Sequence, residues 1–535
     1  MDRRSFLGVA GGVGAAAVTS AGFYRWQEIT PTLHYPGREE GHFLRDAKAL
    51  PAPAKVIDTD VVILGSGIAG LSAAWKLKKS GHSGALMIDG PQPFGNAAGG
   101  RFGDLAYPTG AHYLPLPSPE MVHVREILAD LGIIERDALA DKPYYDERVL
   151  LHGPEERLLF NGAWQEGVIP SAGVAPGELA EHARFFAELE RLRQLRGADG
   201  GHVFAFPSVR SSSDPAIDAL DRLTMRQWME QHGYRSPTLH WYVNYGCRDD
   251  YGTAYDKVSA WAGLHYFCSR RGQAANAGNG AWLTWPGGMQ PLADKLAAAS
   301  SIERRAGTAV SLRRTAAGVE ALCFTLDGGV AQTYLVRARK AICAMPLHVA
   351  ARVVQGMGDF GFDPKAHMPS YAPWLVGNFL MRSFPAERPA APLSWDNVVY
   401  QEPGLGYVVS THQDIRATPP DKTVFSAYVA LSDRSPEQAR KWMQQASAQD
   451  LVSLASADLK AAYGIRFAPC VERVDITLRG HAMAAPLPGF RSNAGLKALR
   501  EADGPIVFAH ADLSGFSVFE EASWWGCEAA RRVLG

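Results

Sequence analysis

The segment that most limits what this chain can fold into is Val61-Val62-Ile63-Leu64, an apolar run that passes directly into Gly65-Ser66-Gly67-Ile68-Ala69-Gly70. Leu71 to Lys79 follows with helical spacing, with Ala73, Ala74 and Leu77 on its packing side. Strand, glycine turn and helix in this order open a βαβ unit that binds a dinucleotide. Gly65 permits the tight turn, Gly67 lets backbone approach a pyrophosphate, and Gly70 allows close helix–strand contact. The loop amides, including those of Ser66, Ile68 and Ala69, and the helix N-terminus then face the phosphates. A second strand, Ala85-Leu86-Met87-Ile88, ends at Asp89, 19 residues beyond Gly70, with Gly90 next. The Asp89 carboxylate is placed to accept from both hydroxyls of an adenosine ribose, and it would repel a 2′-phosphate.

The remaining composition narrows the class further. Among 535 residues, 54 Lys+Arg stand against 55 Asp+Glu, a net charge of −1. That balance gives no electrostatic footprint for nucleic acid. The six cysteines are scattered without a CxxC pair, which argues against a zinc site or a disulfide scaffold, and no metal site is expected. The chain starts Met1-Asp2-Arg3-Arg4-Ser5-Phe6-Leu7, and residues 5–24 carry no charge. Paired arginines before a weakly apolar Gly/Ala stretch predict a twin-arginine signal over 1–26, with small residues for cleavage after Ala21. The expected location is periplasmic or exported, the expected partner is the twin-arginine export machinery, and no stable membrane span is expected after processing. An uncleaved signal would leave an anchor. That route carries folded proteins, often around a cofactor.

The predicted class is α/β, a discontinuous Rossmann-type domain with a second, mixed α+β substrate domain. Residues 27–55 read as a surface linker. The nucleotide domain takes 56–117, 278–350 and 478–535, and the substrate domain takes 118–277 and 351–477. The stretch 118–277 reads largely as helices, including Glu178–Arg196 and Asp214–His232. Strands are expected over 302–346, with a turn at Asp327-Gly328-Gly329, and a sheet over 374–430. Ser435–Tyr463 reads as one long helical stretch.

Beyond Asp89 come Gly99-Gly100-Arg101 and then Gly110-Ala111-His112-Tyr113. Here the chain resembles the flavin-containing amine oxidase superfamily over most of residues 57–535. The resemblance implies noncovalent FAD, with the glycine pair and Arg101 on its pyrophosphate and the Gly110–Tyr113 turn beside the flavin. It also implies a backbone contact to adenine at Ala309 and a ribitol bond at Asp512, which closes Ile506-Val507-Phe508-Ala509-His510-Ala511. A last helix is implied to begin against the flavin, with Phe519 and Ala522 at that end. An N-terminal helix dipole there favours negative charge on the flavin edge.

The family pattern also breaks. The strand Leu375-Val376-Gly377-Asn378-Phe379-Leu380 lacks the lysine that such enzymes place near the flavin, and the later of their two flanking rings falls near Val518. His112 is the candidate catalytic base and His481 a second one, because a histidine titrating near neutrality can take a substrate proton. Trp241, Tyr242, Tyr245 and Tyr251 are candidates for a substrate passage or for core packing. Asp249-Asp250 and Glu520-Glu521 are candidates for drawing in a cation or for a solvated face. The expected activity is FAD-dependent oxidation of a small molecule, by hydride removal from a C–H bond adjacent to an amine nitrogen. The alternatives are a desaturase-like or alcohol/aldehyde-oxidising flavoprotein with a non-oxygen acceptor, and a non-catalytic binding or escort protein.

Overall fold

A computed structural model of the protein describes residues 29–46, 50–388, 390–418 and 420–535. The expected export signal lies outside them. Two sheets organise the described chain. The first runs Glu303–Arg305, Ala85–Ile88, Val56–Leu64, Val330–Cys343, Gly318–Asp327, Thr308–Thr315, with Ile506–Phe508 parallel to Val330–Cys343. Val61 to Leu64 and Ala85 to Ile88 are buried throughout, as parallel strands covered on both faces must be. The helix Ile68–Lys79 covers one face and packs along the C-terminal helix Phe519–Leu534. The hairpin turn falls at Gly328 and Gly329, whose φ values of 55° and 82° suit the turn that matches strand twist.

The second sheet orders Thr32–His34, Val471–Ala485, Ser370–Met381, Thr423–Ala430, Tyr407–Val409, Asp396–Val399, Glu156–Phe160 and Ala163–Glu166. Three sequence expectations change here. Residues 27–55 are more than a linker: Thr32–His34 adds a parallel edge strand to Val471–Ala485, and Arg38–Arg45 is a helix. The helical region 118–277 also supplies the hairpin Glu156–Phe160/Ala163–Glu166, whose first strand pairs with Asp396–Val399. The stretch 435–463 is three helices, Pro436–Gln445, Ala448–Ala455 and Ala457–Tyr463. Ser447 interrupts it by capping the second helix in a reciprocal pair with Asp450.

The strand Val471–Ala485 joins the two layers and runs through the boundary expected at 478. Its Asp475 accepts a 2.7 Å hydrogen bond from the Tyr107 hydroxyl, and its Ala482 carbonyl accepts one of 2.5 Å from Asn96 Nδ2. No described helix is long and apolar enough to cross a membrane.

Backbone contacts without side chains fix the nucleotide end. A Cβ on Gly526 would collide with the Ala69 carbonyl oxygen, so the last helix lies directly on the helix that follows the glycine turn. Gly67, by contrast, has nothing within 4 Å of its would-be Cβ and a φ of −68°. The two glycines therefore separate stability from binding. Gly526→Ala is expected to destabilise the protein by about 1–3 kcal/mol through overpacking. Gly67→Ala should leave stability within about 0.5 kcal/mol of the parent. Denaturant titration of both variants checks this, and equal losses would show that the helix contact does not hold the loop.

Candidate functional site

The strand Val56–Leu64 ends at Gly65, whose φ of 111° and approach to Ala344 O (2.7 Å from a would-be Cβ) admit no side chain. Gly70 meets the Gly65 carbonyl in the same way. Helix Ile68–Lys79 starts at Gly67 with no side-chain cap, so no side chain satisfies its first amides, and space is open at Gly67. Ser66 is buried, and its hydroxyl donates to Asp89 O at 2.8 Å. The Asp89 carboxylate receives Arg304 Nε and Nη2 on Oδ1, each at 2.8 Å. Gly90 pairs with Gly307, and Ala309 is buried on the neighbouring strand just before a register shift. Uncapped amides, an open loop and a ribose-type carboxylate are the donor and acceptor set of a dinucleotide cleft.

The expected pyrophosphate turn lies in a tightly packed hairpin. Gly99 and Gly100 belong to the hairpin Gly99–Phe102/Leu105–Pro108 and serve packing: a Cβ on Gly99 would lie 2.8 Å from Gly287 O, and one on Gly100 would strike the Tyr107 ring. Arg101 is exposed and donates back to Gly103 O at 3.3 Å and Asp104 O at 3.0 Å. The segment that comes up to Gly67 is Gly95, 3.8 Å from Gly67 Cα to its would-be Cβ. The Gly110–Tyr113 turn is strapped beside it. Ala111 N donates to Asn96 O at 2.8 Å, and Ala111 O accepts from Met289 N at 3.0 Å.

Asp512 is fully buried and already held. It accepts from Leu347 N at 2.9 Å and Tyr371 Oη at 2.6 Å, and lies 3.1 Å from His510 Nδ1. Burial would raise its pKa, but His510, Tyr371 and Leu347 together keep it well below the ordinary carboxylate range. A ribitol hydroxyl would have to compete with those donors. Phe519 and Ala522, at the start of the last helix, pack partly buried against the same core as Ile68 and Phe94. Glu520 and Glu521 sit in that first turn, buried, neither on a solvated face nor in the cavity described next. Glu521 accepts from Ser208 N at 2.5 Å and from the Ser514 hydroxyl.

From the turn's side chains opens a cavity of about 460 Å³. His112, Tyr113, Tyr242, Tyr245, Trp282 and Trp395 supply its aromatic walls. Glu156, Glu166, Asp249 and Asp396 supply carboxyls, and no lysine or arginine lines it among the described residues. Asp249 and Tyr245 stand one turn apart on helix Pro237–Tyr251. Glu156 and Asp396 are direct partners on adjacent parallel strands, an arrangement of like charges that disfavours folding. Tyr113 Oη donates to Asp249 Oδ2 at 3.1 Å. Burial and then Asp250 push Asp249 up to about 6, whereas burial and then Glu155 and Asp249 push Glu156 up to about 7. Asp396 is raised by burial and by Glu156 and Asp249. The nearby guanidinium of Arg270 is bound to Asp250 at 2.6 Å. The Tyr428 hydroxyl, buried, has no hydrogen-bond partner among the described residues.

His112 does not have the near-neutral pKa expected of a base. It stacks on Tyr428 at 4.3 Å, and burial lowers its pKa to about 3, so it is a neutral ring in the wall. His481 lies outside the cavity, stacked on His348 at 4.6 Å and lowered by burial to about 3. Of the four aromatic candidates, Tyr242 and Tyr245 line the cavity. Trp241 packs on Tyr400, and Tyr251 is a core residue bonded to Ala262 O. Sequence reasoning missed Glu156, Asp396 and Trp395. For Glu156, which opens the charged-then-apolar strand Glu156-Arg157-Leu158-Leu159-Phe160 after Glu155, the sequence carried no distinguishing signal.

Comparison with known proteins agrees with this geometry. The family model for an NAD(P)-binding Rossmann-like domain matches residues 63–131. No curated protein matches significantly by sequence. Among solved structures, putrescine oxidase bound to putrescine is 16% identical with a TM-score of 0.60, covering 90% of this chain and 99% of that one. Cyclohexylamine oxidase from Brevibacterium oxydans IH-35A gives 16% and 0.59, covering 89% and 99%. A fatty acid isomerase from P. acnes gives 14% and 0.57, covering 89% and 98%. The chain has the two-domain fold of the flavin amine oxidases. Because the isomerase shares it, the fold alone does not select a reaction.

The cavity carboxyls generate a pH prediction. Their folded pKa values lie above the unfolded carboxylate values, so the native state holds more protons between about pH 4 and 7. Stability is therefore fully present at low pH and falls as pH rises through that window. Asp249→Asn, which still accepts from Tyr113, should be about 1–2 kcal/mol more stable than the parent at pH 7.5 and close to it at pH 4. Denaturant titration at both pH values measures the difference; a variant less stable at pH 7.5 would refute the account.

Proposed function

We propose that the protein is an FAD-dependent oxidoreductase that oxidises a C–H bond next to the nitrogen of a cationic amine. The observation that carries this reading is the cavity: carboxyls and aromatic faces without a lysine or arginine, opening from the Gly110–Tyr113 turn beside the nucleotide cleft. An ammonium group is attracted by both kinds of wall. The open loop at Gly67, the uncapped helix and Asp89 would hold noncovalent FAD, which when bound supplies the two-electron acceptor.

The chain's own residues then have separate tasks. Glu156 and Asp396 hold the cation, and Trp282 and Trp395 flank it and exclude water. Asp249, bonded to Tyr113 on the turn, gives a proton lost by the amine a carboxylate acceptor inside the cavity. His112, neutral, shapes the wall. The paired arginines at Arg3 and Arg4 support export of the folded holoprotein through the twin-arginine route.

A desaturase-like or alcohol-oxidising enzyme draws support from the lysine-free strand Leu375 to Leu380, whose Asn378 is buried against the Ser426 hydroxyl. Such a neutral substrate would leave the Glu156–Asp396 pair without a counter-charge. The purified protein is expected to be yellow and to release FAD on denaturation, unlike a non-catalytic escort. Mixed anaerobically with primary amines it should bleach, whereas the matching alcohols should not. Asp396→Asn should raise KM for the amine about tenfold or more, the weight of one charged contact. Bleaching by alcohols alone would move the assignment to the alternative.

A further inference from the structure

Resting on the FAD reading above, we propose that Arg479, from the strand Val471–Ala485, supplies the positive charge for the cofactor's pyrophosphate, the part expected of Arg101. Arg101 is exposed and turned back on its own hairpin. Arg304, a second guanidinium near the cleft, is neutralised by Asp89.

Arg479 differs from both. It is half-buried, and all its recorded acceptors are neutral: Thr109 O at 3.1 Å, Gln92 Oε1 at 2.8 Å, Thr109 Oγ1 at 3.3 Å and Gly95 O at 3.4 Å. No carboxylate pairs with it among the described residues, and burial unopposed by any anion lowers its pKa to about 10. A cation removed from water without a counter-charge is strongly unfavourable, and an arriving anion relieves it.

Its position selects the anion. The Gly95 carbonyl that takes Arg479 Nη2 belongs to the residue that approaches Gly67. Gly95 thus touches both Gly67, at the start of the uncapped helix, and the Arg479 guanidinium. Thr109, Gln92 and Gly95 orient the planar fork, which among the described residues leaves one Nη1 hydrogen for a phosphate oxygen. The strand comes from the substrate sheet, so the charge reaches the nucleotide loop only once both domains have assembled.

The test compares holoenzyme of the parent, Arg479→Gln, Arg479→Lys and Arg101→Gln. FAD dissociation is read from flavin fluorescence on dilution, displacement by ADP is read in the same way, and thermal midpoints report folding. Arg479→Gln should weaken FAD about ten- to hundredfold and ADP by the same factor. Arg479→Lys, a point charge without the fork, should weaken both by an intermediate and equal factor. Arg101→Gln should change neither by more than about twofold, as for an exposed side chain. If Arg479→Gln does not fold, the Lys variant decides: FAD and ADP affinities equal to the parent's would overturn the proposal. So would loss of FAD affinity with ADP unchanged, which would put the guanidinium at the flavin end, or a larger loss in Arg101→Gln than in Arg479→Gln. A parent that binds neither FAD nor ADP would overturn the FAD reading itself; a parent that binds both, with Arg479→Gln binding equally well, would overturn only the role of Arg479.

Discussion

Backbone meeting backbone is the constraint on which the rest of this structure depends. Gly65 lies against the Ala344 carbonyl, Gly70 against that of Gly65, and Gly526 against that of Ala69. Each contact would be lost to a single added carbon, and together they bring residues 65–70, 344 and 526 to one point. The loop that faces the cofactor is thus shaped by the other end of the chain. The open space at Gly67 and the helix start at Ile68 sit on that packing.

From that point the molecule is electrically polarised. Its nucleotide side offers a helix N-terminus and a half-buried guanidinium at Arg479; its substrate side offers three raised carboxyls and no cation in the lining. Both arrangements burden the ligand-free fold, since isolated buried charge is disfavoured whichever its sign. They are compensated by ligands of opposite charge on the proposed reading, an anionic dinucleotide at one end and an ammonium at the other. The Gly110–Tyr113 turn separates them, pinned by Asn96 on one side and Met289 on the other. That turn sets how near the two ligands come.

How much was legible in the sequence follows from how local each signal is. The strand, glycine loop and Asp89 were readable because turn, helix start and carboxylate lie within about 30 residues of one another, the span of one βαβ unit. The hairpin at Gly328-Gly329 was readable for the same reason. Gly99-Gly100-Arg101 is ambiguous in sequence because a glycine pair needed for close packing against Gly287 and Tyr107 looks the same as one needed for phosphate. At Asp512 a carboxylate ending a strand gives no hint in sequence that Leu347 and Tyr371 donate to it. The Glu156–Asp396 pair was invisible: it exists only through the register of two strands distant in sequence, which no local pattern encodes. The break at Ser447 was written in the sequence as Ser447-Ala448-Gln449-Asp450, a serine with an acidic residue three positions later, but the surrounding helical spacing concealed it.

The cavity's like-charged pair also bears on which reaction the fold performs here. An isomerase and two amine oxidases share this architecture, so the distinction rests on what the walls require. With Glu156 near 7 and Asp249 near 6, the empty cavity keeps part of its charge masked by protons at neutral pH. A cation entering it favours the ionised carboxyls and drives those protons out, because binding and ionisation are linked through one electrostatic energy. A neutral substrate gives no such drive and leaves the protons where they are. The cavity is therefore selective in a way shape alone is not: it becomes a fully charged site only when the ligand brings the opposite charge with it.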